Sequence, residues 1–118
     1  YICNCCTCSC GILRGMKDLG IANVVARSVF VLSVDEDLCM ACGDCVEECQ
    51  FDALELDFVA KVEKTRCVGC GACVNVCPEN ALTLVRRPEE EIKPIYETER
   101  DWMEARAELR GIDINRVL

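Results

Sequence analysis

The chain has 118 residues, 13 of them cysteine and none histidine, and a net charge of −8. That length fits one small domain, and the missing histidine excludes imidazole-bound zinc, His-based triads and Rieske-type ligation, which leaves thiolates, carboxylates and backbone as ligands. The odd cysteine count fits metal ligation better than a disulfide framework, the acidic balance disfavours nucleic acid, and no apolar run is long enough to span a bilayer.

In chain order, the sequence opens on Tyr1 and on five cysteines within eight residues, Cys3, Cys5, Cys6, Cys8 and Cys10. A start at Tyr1 leads us to expect a piece of a longer protein. Residues 11–19 read as a short helix that Gly20 ends. Met16, Leu19, Ile21, Val24 and Val25 are expected to pack on the core, and Arg14, Lys17 and Arg27 to form a solvated basic face. Strands are expected at 29–34, at 53–56 and 59–63 as a hairpin about Asp57 and Phe58, and at 81–85. Helical turns fit 44–49 and 72–77. Beyond Pro88 and Pro94 a charged helix fits 97–110, with Trp102 as a packing anchor or a contact for a partner subunit and Gly111 as the stop. Ile92, Ile95 and Tyr96 are expected to cover the sheet.

The centre is duplicated. Cys39, Cys42, Cys45 and Cys49 make a C-x2-C-x2-C-x3-C run, and Cys67, Cys70, Cys73 and Cys77 repeat it 28 residues later, closed by Pro78. Gly43 and Gly71 follow the second cysteine of each run, and Ala-Leu-x-Leu follows both. Two copies of one unit predict a pseudo-twofold α+β domain. A cubane needs four thiolates around it, and two-residue gaps wrap one tight loop that supplies three. For this motif the general rule gives the fourth cysteine to the other cluster. The expected sets are therefore Cys39, Cys42, Cys45 and Cys77 for one [4Fe–4S] cluster and Cys67, Cys70, Cys73 and Cys49 for the second. Gly43, Gly69 and Gly71 let backbone N–H groups approach the inorganic sulfide. A structural zinc would want two separated C-x2-C pairs instead.

Residues 29–85 resemble the bacterial-type 2[4Fe–4S] dicluster ferredoxins. The resemblance implies the pseudo-twofold ferredoxin-like fold, low-potential one-electron transfer and no substrate chemistry at the clusters. Two positions depart from the family pattern: Gln50 stands where proline usually follows the fourth cysteine, and Ala41 where many members have glycine. Residues 1–28 resemble, loosely, the Cys-Asn-Cys-Cys stretches that precede such domains in some longer anaerobic iron–sulfur proteins.

Three segments follow: 1–28 with a third metal site, 29–85 as the dicluster domain, and 86–118 as a charged linker and C-terminal helix. The N-terminal cysteines suit a third [4Fe–4S] cluster, a zinc or other thiolate site, or a thiol/disulfide patch. Residues 35–85 hold eleven acidic and three basic side chains, which suits redox partners with basic docking patches and no membrane insertion. The expected function is an electron carrier, or an electron-transfer domain or subunit of a larger oxidoreductase, in the reducing cytoplasm. The alternative is a fragment of an iron–sulfur enzyme whose N-terminal centre meets substrate. The sequence holds no acid–base or nucleophile constellation apart from thiols, so no catalytic residue is assigned.

Overall fold

The computed structural model describes residues 5–21 and 25–116. Cys3 and Val24 lie outside the described residues. The chain divides into two units, Tyr1–Pro88 and Glu89–Leu118.

The first unit opens with α1 (Gly11–Leu19), which ends at Gly20 in the left-handed conformation with φ 61°. β1 (Phe30–Val34) leads to the first cysteine loop and α2 (Asp44–Glu48). The hairpin of β2 (Leu54–Leu56) and β3 (Ala60–Val62) precedes the second loop and α3 (Ala72–Val76), and β4 (Leu82–Arg86) closes the unit. The two sheets have two strands each. β1 pairs antiparallel with β4, with Leu32 opposite Leu84, and β2 pairs antiparallel with β3, with Glu55 opposite Lys61. The strand before the first cysteine loop is thus bound to the strand after the second, which draws the ends of the duplication together.

The duplication holds at the level of backbone angles. Ala41 and Gly69, Gly43 and Gly71, and Asp52 and Asn80 are each 28 residues apart, and all six have positive φ. The hydrogen bonds repeat with the same offset: Asp35 N–H donates to Ala81 O and Glu63 N–H to Ala53 O, both at 2.8 Å, while Cys39 N–H donates to Asp35 O and Cys67 N–H to Glu63 O. So does burial, in Ala53 with Ala81, Leu54 with Leu82, and Cys45 with Cys73.

The packing of α1 departs from expectation. Met16 is buried, but Leu19, Ile21 and Val25 are exposed. The end of the helix is held by polar contacts instead: Arg66 Nη2 donates to Lys17 O at 2.8 Å, and Lys17 Nζ lies 3.9 Å from Asp52 Oδ1. Arg14 pairs with Asp18.

In the second unit, α4 (Glu99–Leu109) starts at a capping box. Thr98 Oγ1 accepts from Asp101 N–H, and Asp101 Oδ2 accepts from Thr98 N–H. No residue of α4 is buried; Trp102 is 43% exposed, with the Arg106 guanidinium 4.7 Å from its ring centre. Ile95, expected to cover the sheet, is 85% exposed. No helix among the described residues is long and apolar enough to cross a membrane.

Candidate metal centres

The cysteine loops and the short helices that follow them enclose two concavities. The first is lined by Cys39, Cys42, Cys45 and Cys77, with Leu56, Ala60 and Leu82 among its walls. The second is lined by Cys49, Cys67, Cys70 and Cys73, with Leu32, Leu54 and Leu84 among its walls. Each takes three cysteines from one run and the fourth from the other. Local geometry explains the exchange. The first three thiols of a run lie on the loop and on the first turn of α2 or α3, while the fourth caps the far end of that helix in extended conformation. With α2 and α3 side by side, each far end faces the neighbouring loop.

The electrostatics follow the same grouping. Burial pushes the Cys45 thiol pKa up, and Cys42, Cys39 and Cys77 raise it further as neighbouring thiolates. Burial is also the largest cause at Cys73, followed by Cys70, Cys49, Cys67 and Cys45, and its pKa is pushed up to about 11. Four thiolates gathered in an apolar hollow repel one another, and a bound cation is what relieves them. Two of the sulfurs already accept backbone N–H groups, Cys39 Sγ from Ala60 and Cys49 Sγ from Ala53, both at 3.4 Å. Such bonds fix the positions of the two sulfurs. Four cysteines and apolar walls line each hollow, a donor set that fits an all-thiolate cluster. Cys42 and Cys70 are exposed, so each hollow reaches the surface at its second cysteine.

The N-terminal cysteines are arranged differently. Cys6 and Cys8 are joined in a disulfide, Cys5 is also disulfide-bonded, and Cys10 is free. Cys10 is the N-cap of α1, and its N–H donates to Cys6 O at 3.0 Å, so residues 6–10 form one tight turn ahead of the helix. Thr7 N–H donates to Gln50 Oε1 at 3.2 Å. That bond sets the turn beside Cys49, on the residue that departs from the family pattern.

Sequence reasoning missed two arginines. Arg87, read as the start of a charged tail, is 4% exposed. Its Nε donates to Ser28 O and Phe30 O, and its Nη2 donates to Cys67 O at 2.6 Å. Arg66 donates through Nε to Phe51 O at 3.1 Å. The signal that reveals them is the 28-residue offset, which sets Arg66 against Leu38 and Arg87 against Val59.

Residues 32–84 match a family described as 4Fe-4S dicluster domain, and a second family of the same description matches residues 66–108. No curated protein matches the chain. The duplicated thiol-lined hollows and both family matches lead to one conclusion: the central residues form a ferredoxin-type 4Fe-4S dicluster domain, which carries two [4Fe–4S] clusters and indicates iron–sulfur electron transfer.

Proposed function

We propose that the chain relays single electrons between partner proteins, either by itself or as a module of a larger oxidoreductase, with Cys39, Cys42, Cys45 and Cys77 holding one cluster and Cys49, Cys67, Cys70 and Cys73 the other. The observation that carries this reading is the gathering of four thiols from two runs around each hollow. When bound, each cluster supplies a one-electron couple. The protein's own residues do the rest. Buried Leu32, Leu54 and Leu82 keep water from the inner faces, the N–H groups of Ala53 and Ala60 steady the sulfurs of Cys49 and Cys39, and exposed Cys42 and Cys70 give the two routes in and out. Asp35, Glu36, Asp37 and Asp44 are exposed near the first hollow and suit a partner with a basic patch. Raising salt should slow electron exchange with such a partner. Residues 29–85 are the dicluster segment in this reading, 86–118 a charged linker and helix, and a reducing compartment such as the cytoplasm its setting. Iron and acid-labile sulfide measured after anaerobic preparation test it: about four irons per cluster require at least eight per chain, and fewer would overturn it.

The N-terminal turn extends the proposal. Reduction of the Cys6–Cys8 bond by a thiol reductant adds two electrons, breaks one S–S bond and leaves two thiolates beside Cys10. Two further electrons from the reductant break the separate disulfide at Cys5, and with Cys5 these make four all-thiolate ligands for a third iron–sulfur centre, which the Thr7–Gln50 bond sets next to the second hollow. Replacing Cys3, Cys5, Cys6, Cys8 and Cys10 with serine should lower iron from about twelve to about eight per chain, at four irons per cluster. Equal iron in parent and variant would refute the third centre and leave the two central clusters in place.

A further inference from the structure

The two hollows have nearly the same backbone but not the same charge. At the second, Arg66 precedes the ligand Cys67, hydrogen-bonds Phe51 O two residues beyond Cys49, and helps pin α1 through Lys17 O. Buried Arg87 reaches the carbonyl oxygen of Cys67 itself. At the first hollow the positions 28 residues earlier are Leu38 and Val59, both without charge. The asymmetry also runs the other way. Asp44, next to Cys45, stands where α3 has Ala72, and Glu79 is in the wall of the first hollow.

A guanidinium stays cationic whatever else it contacts. Near a buried redox site it favours the state with one more negative charge, and it does so more strongly from a buried position than from a solvated one. Exposed Asp44 is screened by solvent, whereas Arg87 is enclosed. The backbone bonds from Arg66 and Arg87 also orient the loops that carry Cys49 and Cys67, so the cations are fixed in place.

We propose that Arg66 and Arg87 set a directional bias within the duplicated domain: they make the site ringed by Cys49, Cys67, Cys70 and Cys73 the higher-potential one, so that an electron entering at the first site comes to rest at the second. This rests on the ligand sets proposed above. The step is the gain of one electron at the second site and its loss at the first, with no bond made or broken. The favoured end is also the end to which Gln50 ties the N-terminal cysteine turn, which makes that turn, not the acidic rim of the first hollow, the neighbour of the resting electron.

A redox titration of the loaded full chain, followed by electron paramagnetic resonance, tests the bias. The parent should show two one-electron steps whose separation favours the second site at least tenfold, about 59 mV for a one-electron couple. Arg66→Leu should lower the upper step and leave the lower one in place. Leu38→Arg, at a half-exposed position, should raise the lower step and narrow the gap. Arg87→Lys keeps the charge and should hold the upper step near its parent value. Steps that coincide in the parent, or an upper step unmoved by Arg66→Leu together with a lower step unmoved by Leu38→Arg, would overturn the proposal while leaving the ligand sets standing. Fewer than eight irons in the parent would instead overturn the ligand sets.

Discussion

Ala41 and Gly69 occupy the same place in the two copies and share a left-handed backbone, with φ of 56° and 74°. The side chain at this position decides what the conformation costs. A Cβ on Gly69 would overlap the carbonyl oxygen of Phe30 and stand 2.9 Å from Ser28 Oγ, so glycine is required there. Ala41 carries its Cβ in a conformation that costs an L-residue roughly 1–2 kcal/mol. Ala41→Gly should therefore stabilise the loaded chain by up to about 1 kcal/mol once the added freedom of the unfolded chain is counted. Gly69→Ala should displace β1 and lower the iron content of the second hollow. Thermal unfolding and iron analysis of the two variants check the pair of outcomes, and an Ala41→Gly chain less stable than the parent would contradict the strain argument.

At the scale of elements, α1 depends on few contacts: Met16 is its buried side chain, Arg66 holds its last turn, and Thr7 ties down the turn before it. Met16→Ala should cost about 2 kcal/mol, the low end for a buried methionine, and should loosen α1 while sparing the cysteine helices. Hydrogen exchange would show this as faster exchange for α1 amides alone; equal protection in parent and variant would mean that the polar contacts suffice. Most elements were legible in the sequence because their signals are local. Gly20 stops α1, the β-branched and aromatic residues within 30–34 mark β1, and the cysteine spacing dictates α2 and α3. What the sequence hid depends on partners far along the chain. Leu19 and Ile21 look like core residues on a helical face, yet the space at that end of α1 belongs to Arg66. Arg87 looks like part of a charged tail because the carbonyl groups that bury it come from residues 28, 30 and 67. Trp102 looks like an anchor, yet its helix buries nothing among the described residues.

For the molecule as a whole, the first unit has a small core. Its buried apolar side chains are those of Met16, Val31, Leu32, Leu54 and Leu82, together with alanines and the cysteines Cys45 and Cys73. The central part of that core faces the two hollows and not another layer of side chains. With the hollows filled only by water, apolar walls would be left exposed, so binding energy of the clusters is folding energy. Oxidative removal of iron in the presence of a chelator should abolish the fold of residues 29–88, read as loss of far-ultraviolet circular dichroism and of any cooperative thermal transition. A cooperative transition that survives iron removal would mean the side-chain core is sufficient alone.

The proposed exchange of the fourth cysteine between the two copies of the motif is the feature on which the rest depends, since it would join the copies into one domain and set the neighbour of each site. Single serine variants read by electron paramagnetic resonance test it most directly. Cys77→Ser should perturb the same signal as Cys45→Ser, and Cys49→Ser the same signal as Cys73→Ser. If Cys77→Ser instead alters the signal that Cys73→Ser alters, each run of four holds its own cluster and the account of this domain is wrong.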